Sequence, residues 1–192
     1  MLAALLAVTN KGKKLSNFLL AGFLLLNAFI AFDTLRYWSV ILNDLVSAIS
    51  PNLFFLLGFS FFLEGPLLYF YTKSLMYRDF ALRPLDGLHL IPVLIYPLYM
   101  YSIYYRHDME YKHEAVRNQS ELFAQTPFEI LVWLQKISIT VYGCLCLYQL
   151  FKYRRLLQHN YSSIEKIDLA WLKLLIGGFL TVWIWALLTE FS

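Results

Sequence analysis

The sequence predicts an all-α protein: a multi-span transmembrane helix bundle with five full spans and a partial first span. Three observations carry this. Hydrophobic residues make up 59% of the 192 and charged residues only 15%, where a soluble domain carries roughly a quarter. Apolar runs long enough to cross a bilayer, which takes ~20 helical residues, recur along the chain. The turns between them alternate between basic and acidic. So much apolar surface is hard to bury in a water-soluble globule of this length, whereas a bilayer covers it.

In chain order, MLAALLAV (1–8) is apolar but far too short to cross, and it has no basic region before it as a signal peptide would. It is the partial span. A polar turn with Lys11, Lys13 and Lys14 leads into the first full span, about 15–35 (LSNFLLAGFLLLNAFIAFDTL), interrupted only by Asn17 and Asn27. Residues 36–51 are mixed. Tyr37 and Trp38 suit a membrane interface, and Pro51 ends the segment. The next span, about 52–76, contains Gly65-Pro66. After a basic turn, residues 87–105 form a tyrosine-rich span with Pro92 and Pro97 inside it. Residues 106–126 are the one long polar stretch and read as a solvated amphipathic loop. Spans at about 128–151 and 169–190 complete the bundle, a single membrane domain. The linker between them alternates basic and apolar residues and suits the inner membrane surface, where cations gain from anionic lipid.

The cations fix an expected orientation. Lys11, Lys13 and Lys14 lie in the first turn, Lys73, Arg78 and Arg83 in the third, and Lys152, Arg154, Arg155, Lys166 and Lys173 around the fifth. The opposite turns hold Arg36, Arg106, Lys112 and Arg117 among eight acids, beginning with Asp33 and Asp44. Short loops rich in Lys and Arg stay cytoplasmic. The basic turns are therefore expected inside and Ser192 outside.

Three segments point to a family. GPLLYFYTKSL, then F-x-L-x-P-x-D-x-L-H-x-I-P, and later NYSSIEKIDLAWLKLLIGG resemble the membrane-embedded N-terminal region of bacterial AraC-type helix-turn-helix transcriptional regulators. The matching positions are Gly65, Pro66, Tyr69, Tyr71, Lys73, Leu75, Asp86, His89 and Pro92, then Tyr161, Leu169, Trp171 and Leu172. Related membrane regions also precede histidine-kinase and LytTR-type output domains. The resemblance implies a bacterial inner-membrane location and a signal-sensing and anchoring role, the signal being a small molecule or a change in the envelope. The family's seventh span and cytoplasmic DNA-binding domain are missing from the chain, and its first span is only eight residues long. The expected partners are the lipid bilayer, the signal and a second copy of the chain. Direct nucleic-acid binding is not expected, because the chain carries no recognition helix.

The polar residues at depth are the candidates for a signal cavity: Glu64, Lys136 and Asn27. Glu64 lies twelve residues in from Asn52, and Lys136 nine in from Pro127. At 1.5 Å rise per residue their depths differ by roughly 4–5 Å, within reach of a lysine side chain. An intramembrane carboxylate is costly and normally faces protein or a cavity. One reading is a Glu64–Lys136 pair lining the cavity. The other is that Lys136 snorkels outward while Glu64 is protonated or bonded to a neighbouring helix.

Gly65-Pro66 marks a helix kink, since proline removes a backbone hydrogen bond. It is either a hinge or, more simply, a static kink filled by packing. His107, Asp108, Glu110, His113 and Glu114 are metal-capable types, but the histidines are six apart and form no tight helical pair. Cys144 and Cys146 point to different helix faces, so neither a disulfide nor a metal site is expected. No nucleophile with a paired base and no phosphate loop is found. The sequence thus implies no enzyme, no metal and no cofactor. The competing class is a free-standing membrane protein that binds a small molecule.

Overall fold

The computed structural model describes residues 14–77 and 79–160, together with 174, 177, 178 and 181. Among them every regular element is helical: α1 Lys14–Trp38, α2 Val40–Ile49, α3 Phe59–Met76, α4 Ile91–Met100, α5 Met109–Arg117, α6 Gln119–Phe123 and α7 Thr126–Asn160. Four segments are long and apolar enough to cross a membrane: Lys14–Trp38, Pro51–Met76, Pro84–Tyr105 and Thr126–Leu156. They fall where the sequence places its spans at 15–35, 52–76, 87–105 and 128–151. Among the described residues, four helical segments therefore have the length and composition of spans. The expected spans at 1–8 and 169–190 lie outside the described residues, as do Lys11, Lys13, Arg78, Lys166 and Lys173.

The chain divides into two compact units, 1–23 with 65–83 and 136–192, and 24–64 with 84–135. In the first, the start of α1, most of α3 and the second half of α7 supply the core. Leu68, Met76, Cys146 and Leu150 are buried together, and Leu19, Phe70 and Tyr71 form a second cluster. Cys144 is exposed and Cys146 buried, as their two-residue spacing on a helix requires. The Gly65 backbone passes so close to α7 that a Cβ there would lie 2.8 Å from Tyr142 Cβ. Close helix approach at a small residue is a common packing device where lipid offers no hydrophobic drive. Pro66 sits inside the continuous helix α3 and is fully buried. The Ser16 hydroxyl donates to the Ser74 carbonyl at 3.2 Å, and the rings of Tyr77 and Tyr153 meet edge-on at 5.5 Å. These contacts gather the segments carrying Lys14, Lys73 and Lys152 at one end of the unit.

The second unit departs more from expectation. Residues 40–49, within the mixed segment, form α2. Ser39 caps it by accepting from Leu42 N at 3.4 Å, and its Val40, Ile41, Leu45 and Ile49 side chains are exposed. The polar stretch 106–126 is not a solvated loop. Asp108 caps α5 by accepting from Tyr111 N at 3.0 Å, and Ala115, Val116 and Leu122 enter the core. Lys112 is buried too, donating to Asn52 Oδ1 at 3.0 Å. A hydrogen-bonded polar group tolerates burial better than an unmatched one. Nor does the chain leave its helix at 151: α7 continues through the basic residues to Asn160.

The sharpest departure lies at 51–58, where an unbroken helix was expected. Ser50 is extended before Pro51, as the residue preceding a proline prefers. Two single 3₁₀ turns, Pro51–Leu53 and Leu56–Gly58, flank Phe54 and Phe55. Phe55 is left-handed, with φ 66° and ψ −2°, a conformation that costs an L-residue roughly 1–2 kcal/mol. Within the break, Phe54 N donates to Pro51 O and Gly58 N to Phe55 O, at 3.2 and 3.1 Å. Three tyrosines add further donors to the same segment. Tyr104 donates to Pro51 O at 2.9 Å, Tyr105 to Phe54 O at 2.7 Å and Tyr96 to Phe55 O at 2.6 Å. The wider π-type turn Tyr101–Tyr105, in which Arg106 N donates to Tyr101 O, brings two successive tyrosines onto the same segment.

Candidate functional site

Asp33 and Arg36 stand three residues apart in the last turns of α1, a spacing that puts both on one helix face. Arg36 Nε and Nη2 both donate to Asp33 Oδ1, at 3.1 and 3.0 Å. The guanidinium lies 4.3 Å from the centre of the Phe54 ring, a cation–π contact worth about 2 kcal/mol when desolvated. Arg36 is only 3% exposed. Its Nη1 is buried and has no hydrogen-bond partner among the described residues. A buried donor left unmatched in this way costs on the order of 1–3 kcal/mol.

The pair forms part of the wall of a cavity of about 240 Å³. The 55–58 turn contributes Phe55 and Gly58, α3 contributes Phe61, and α4 contributes Tyr96. Phe123 comes from α6, and Phe128, Leu131, Val132 and Gln135 from the start of α7. The strained Phe55 is what turns its ring inward, where it meets Tyr104, Phe128 and Phe123 at centroid distances of 4.9, 5.6 and 6.0 Å. Gly58 must lack a side chain, because a Cβ there would overlap the Tyr96 hydroxyl. An aromatic cavity with a few fixed polar groups is the usual form of a small-molecule site. A larger hollow of about 480 Å³ beside α2 is lined by Asn43, Asp44, His113 and Arg117, among others. Most of its lining is exposed, so it is an open groove.

The residues singled out from sequence lie elsewhere. Glu64 is 3% exposed, and its Oε2 has no hydrogen-bond partner among the described residues. Asn27 is half-buried in the same unit as Glu64, and Lys136 is half-buried in the other unit. None of the three lines the cavity. No group of three or more His, Cys, Asp or Glu side chains suited to a metal occurs among the described residues. The sequence reading missed Arg36 and Asp33 because it counted them as loop charges. Their D-x-x-R spacing at the end of an apolar helix was the available signal.

Comparison with protein-family models, with curated proteins and with solved structures finds no match to the chain.

Proposed function

We propose that the chain is the membrane-anchoring and signal-sensing region of an AraC-type transcriptional regulator, and that the cavity over the Arg36–Asp33 pair receives the signal. The observation that carries the sensing role is the cavity itself: aromatic walls around a buried arginine that retains an unmatched donor. The regulator assignment is supported by the resemblance of the segments around Gly65-Pro66 and Asp86–His89. The proposed orientation places the basic turns in the cytoplasm of a bacterial inner-membrane protein. It is supported by the contacts that bring the Lys14, Lys73 and Lys152 segments to one end of their unit. The exposed apolar surfaces of α1, α2 and α7 then meet lipid.

A second reading keeps the cavity and drops the output domain, leaving a free-standing membrane protein that binds a small molecule. Reading the coding sequence past codon 192 separates the two. A further span and a helix-turn-helix support the regulator, and a kinase or LytTR-type domain moves the same sensor to another output. A stop codon leaves the free-standing binder.

A further inference from the structure

Resting on the reading of this cavity as a ligand site, the arrangement of charge within it narrows what the ligand is. Arginine offers donors only, so whatever meets it must be an acceptor. Two of its three nitrogens are engaged by Asp33 Oδ1, and Nη1 alone has no hydrogen-bond partner among the described residues. The Tyr96 hydroxyl proton is already committed to Phe55 O. The positive charge of Arg36 is answered by Asp33, 3.0 Å away. An entering anion would find a neutralised pair and a carboxylate beside it, in surroundings where like charges repel far more strongly than in water. A neutral oxygen acceptor meets no such opposition. Most of the remaining wall is apolar, with the rings of Phe55, Phe61, Phe123 and Phe128, while Thr34, Tyr37 and Gln135 add polar side chains. The volume of about 240 Å³ is below the ~300–1,000 Å³ of drug-sized sites.

We infer that the cavity binds a small, neutral, mostly apolar molecule carrying a carbonyl acceptor, such as a ketone, ester or amide, with that oxygen directed at Arg36. An anionic amphiphile is not its ligand. Specificity comes from the acceptor, because a ligand without one leaves the arginine donor unmatched.

Benzophenone is a suitable probe, being two rings and a carbonyl that inserts into nearby C–H bonds on irradiation. The full chain in lipid nanodiscs is irradiated with benzophenone or with its carboxylate analogue 4-benzoylbenzoate, and the labelled residues are mapped by mass spectrometry. The expected result is saturable benzophenone labelling of residues that line the cavity, about tenfold above that by 4-benzoylbenzoate. Phenyl benzoate should compete, and diphenylmethane, which has the same shape without an acceptor, should compete about tenfold more weakly. Val132→Trp, which fills the cavity, should remove the label while leaving the helical circular dichroism unchanged. Asp33→Asn should raise labelling by the carboxylate probe.

Equal or stronger labelling by 4-benzoylbenzoate at this site, or equal competition by diphenylmethane, overturns the inference and leaves the cavity as a ligand site of other chemistry. Labelling spread over the lipid-facing helices and unaffected by Val132→Trp overturns both the inference and the sensing role of the cavity.

Discussion

The hydroxyl of Tyr96 donates to the carbonyl oxygen of Phe55 at 2.6 Å across 41 residues of sequence. The carbonyl belongs to the one residue outside glycine with a positive φ among those described, so the bond fastens a strained turn to helix α4. Tyr104 and Tyr105 hold the same segment at Pro51 and Phe54. The broken stretch therefore behaves as a fixed wall of the cavity.

Removing that bond should be costly. Tyr96→Phe keeps the ring but leaves the Phe55 carbonyl with the Gly58 N–H alone, at 3.1 Å, and a lost hydrogen bond of this kind costs about 0.5–1.5 kcal/mol. Gly58→Ala should cost at least as much, because its Cβ would displace the Tyr96 hydroxyl. Both variants should unfold at lower temperature in detergent, followed by circular dichroism. An unchanged melting temperature for both would mean that the 51–58 turn does not depend on this tyrosine.

Gly65→Ala should also destabilise, by about 1–3 kcal/mol, the usual cost of overpacking. The added Cβ would lie 2.8 Å from Tyr142 Cβ, which is anchored to its own backbone and cannot swing away. Gly22→Ala is the control. Its Cβ would meet only the end of the Leu67 side chain, at 3.4 Å, and the melting temperature should hardly move. The ordering of the two variants checks the packing of α3 on α7.

Much of this architecture is legible in the sequence, and the limits have physical causes. Apolar runs locate four helices, because crossing length and composition depend on local residues alone. The Cys144 and Cys146 faces follow from helical spacing. The break at 51–58 was hidden because PNLFFLLGFS is as apolar as a continuous span. Ser50-Pro51 marks its start, but nothing local marks Phe55 as left-handed. That conformation is held by tyrosines some 40 to 50 positions away. Lys112 looked solvent-exposed for the same reason, since the group that permits its burial is Asn52, 60 residues earlier. Arg36 and Asp33 carried a readable spacing, yet loop charge and site charge look alike until the Phe54 ring and the cavity are in place.

The proposed orientation calls for impermeant thiol labelling in intact cells, in a background where Cys144 and Cys146 are replaced by Ala. Position 114 is preferable to Lys112, since Glu114 is exposed and Lys112 buried. Glu114→Cys should label from outside and Arg154→Cys only after the membrane is opened. The reverse pattern inverts the topology.

Glu64 remains a proposed functional residue. A carboxylate at mid-span costs at least ~2.5 kcal/mol unless it is paired, solvated or neutralised. Glu64→Gln and, separately, Lys136→Met are each expected to alter signal response in the full-length protein without lowering membrane abundance. An unchanged response in either variant removes that residue from the account.

The central claim, that the space over Arg36 and Asp33 is a ligand site, is tested most directly by placing a reporter on its wall. 4-Trifluoromethylphenylalanine replaces Phe61, which lines the cavity, and its fluorine resonance is followed in nanodiscs as benzophenone is added. The account predicts a saturable shift in the otherwise native chain and none in the chain that also carries Val132→Trp. An identical, non-saturating drift in both would show the probe reaching Phe61 through lipid alone, and would contradict the claim.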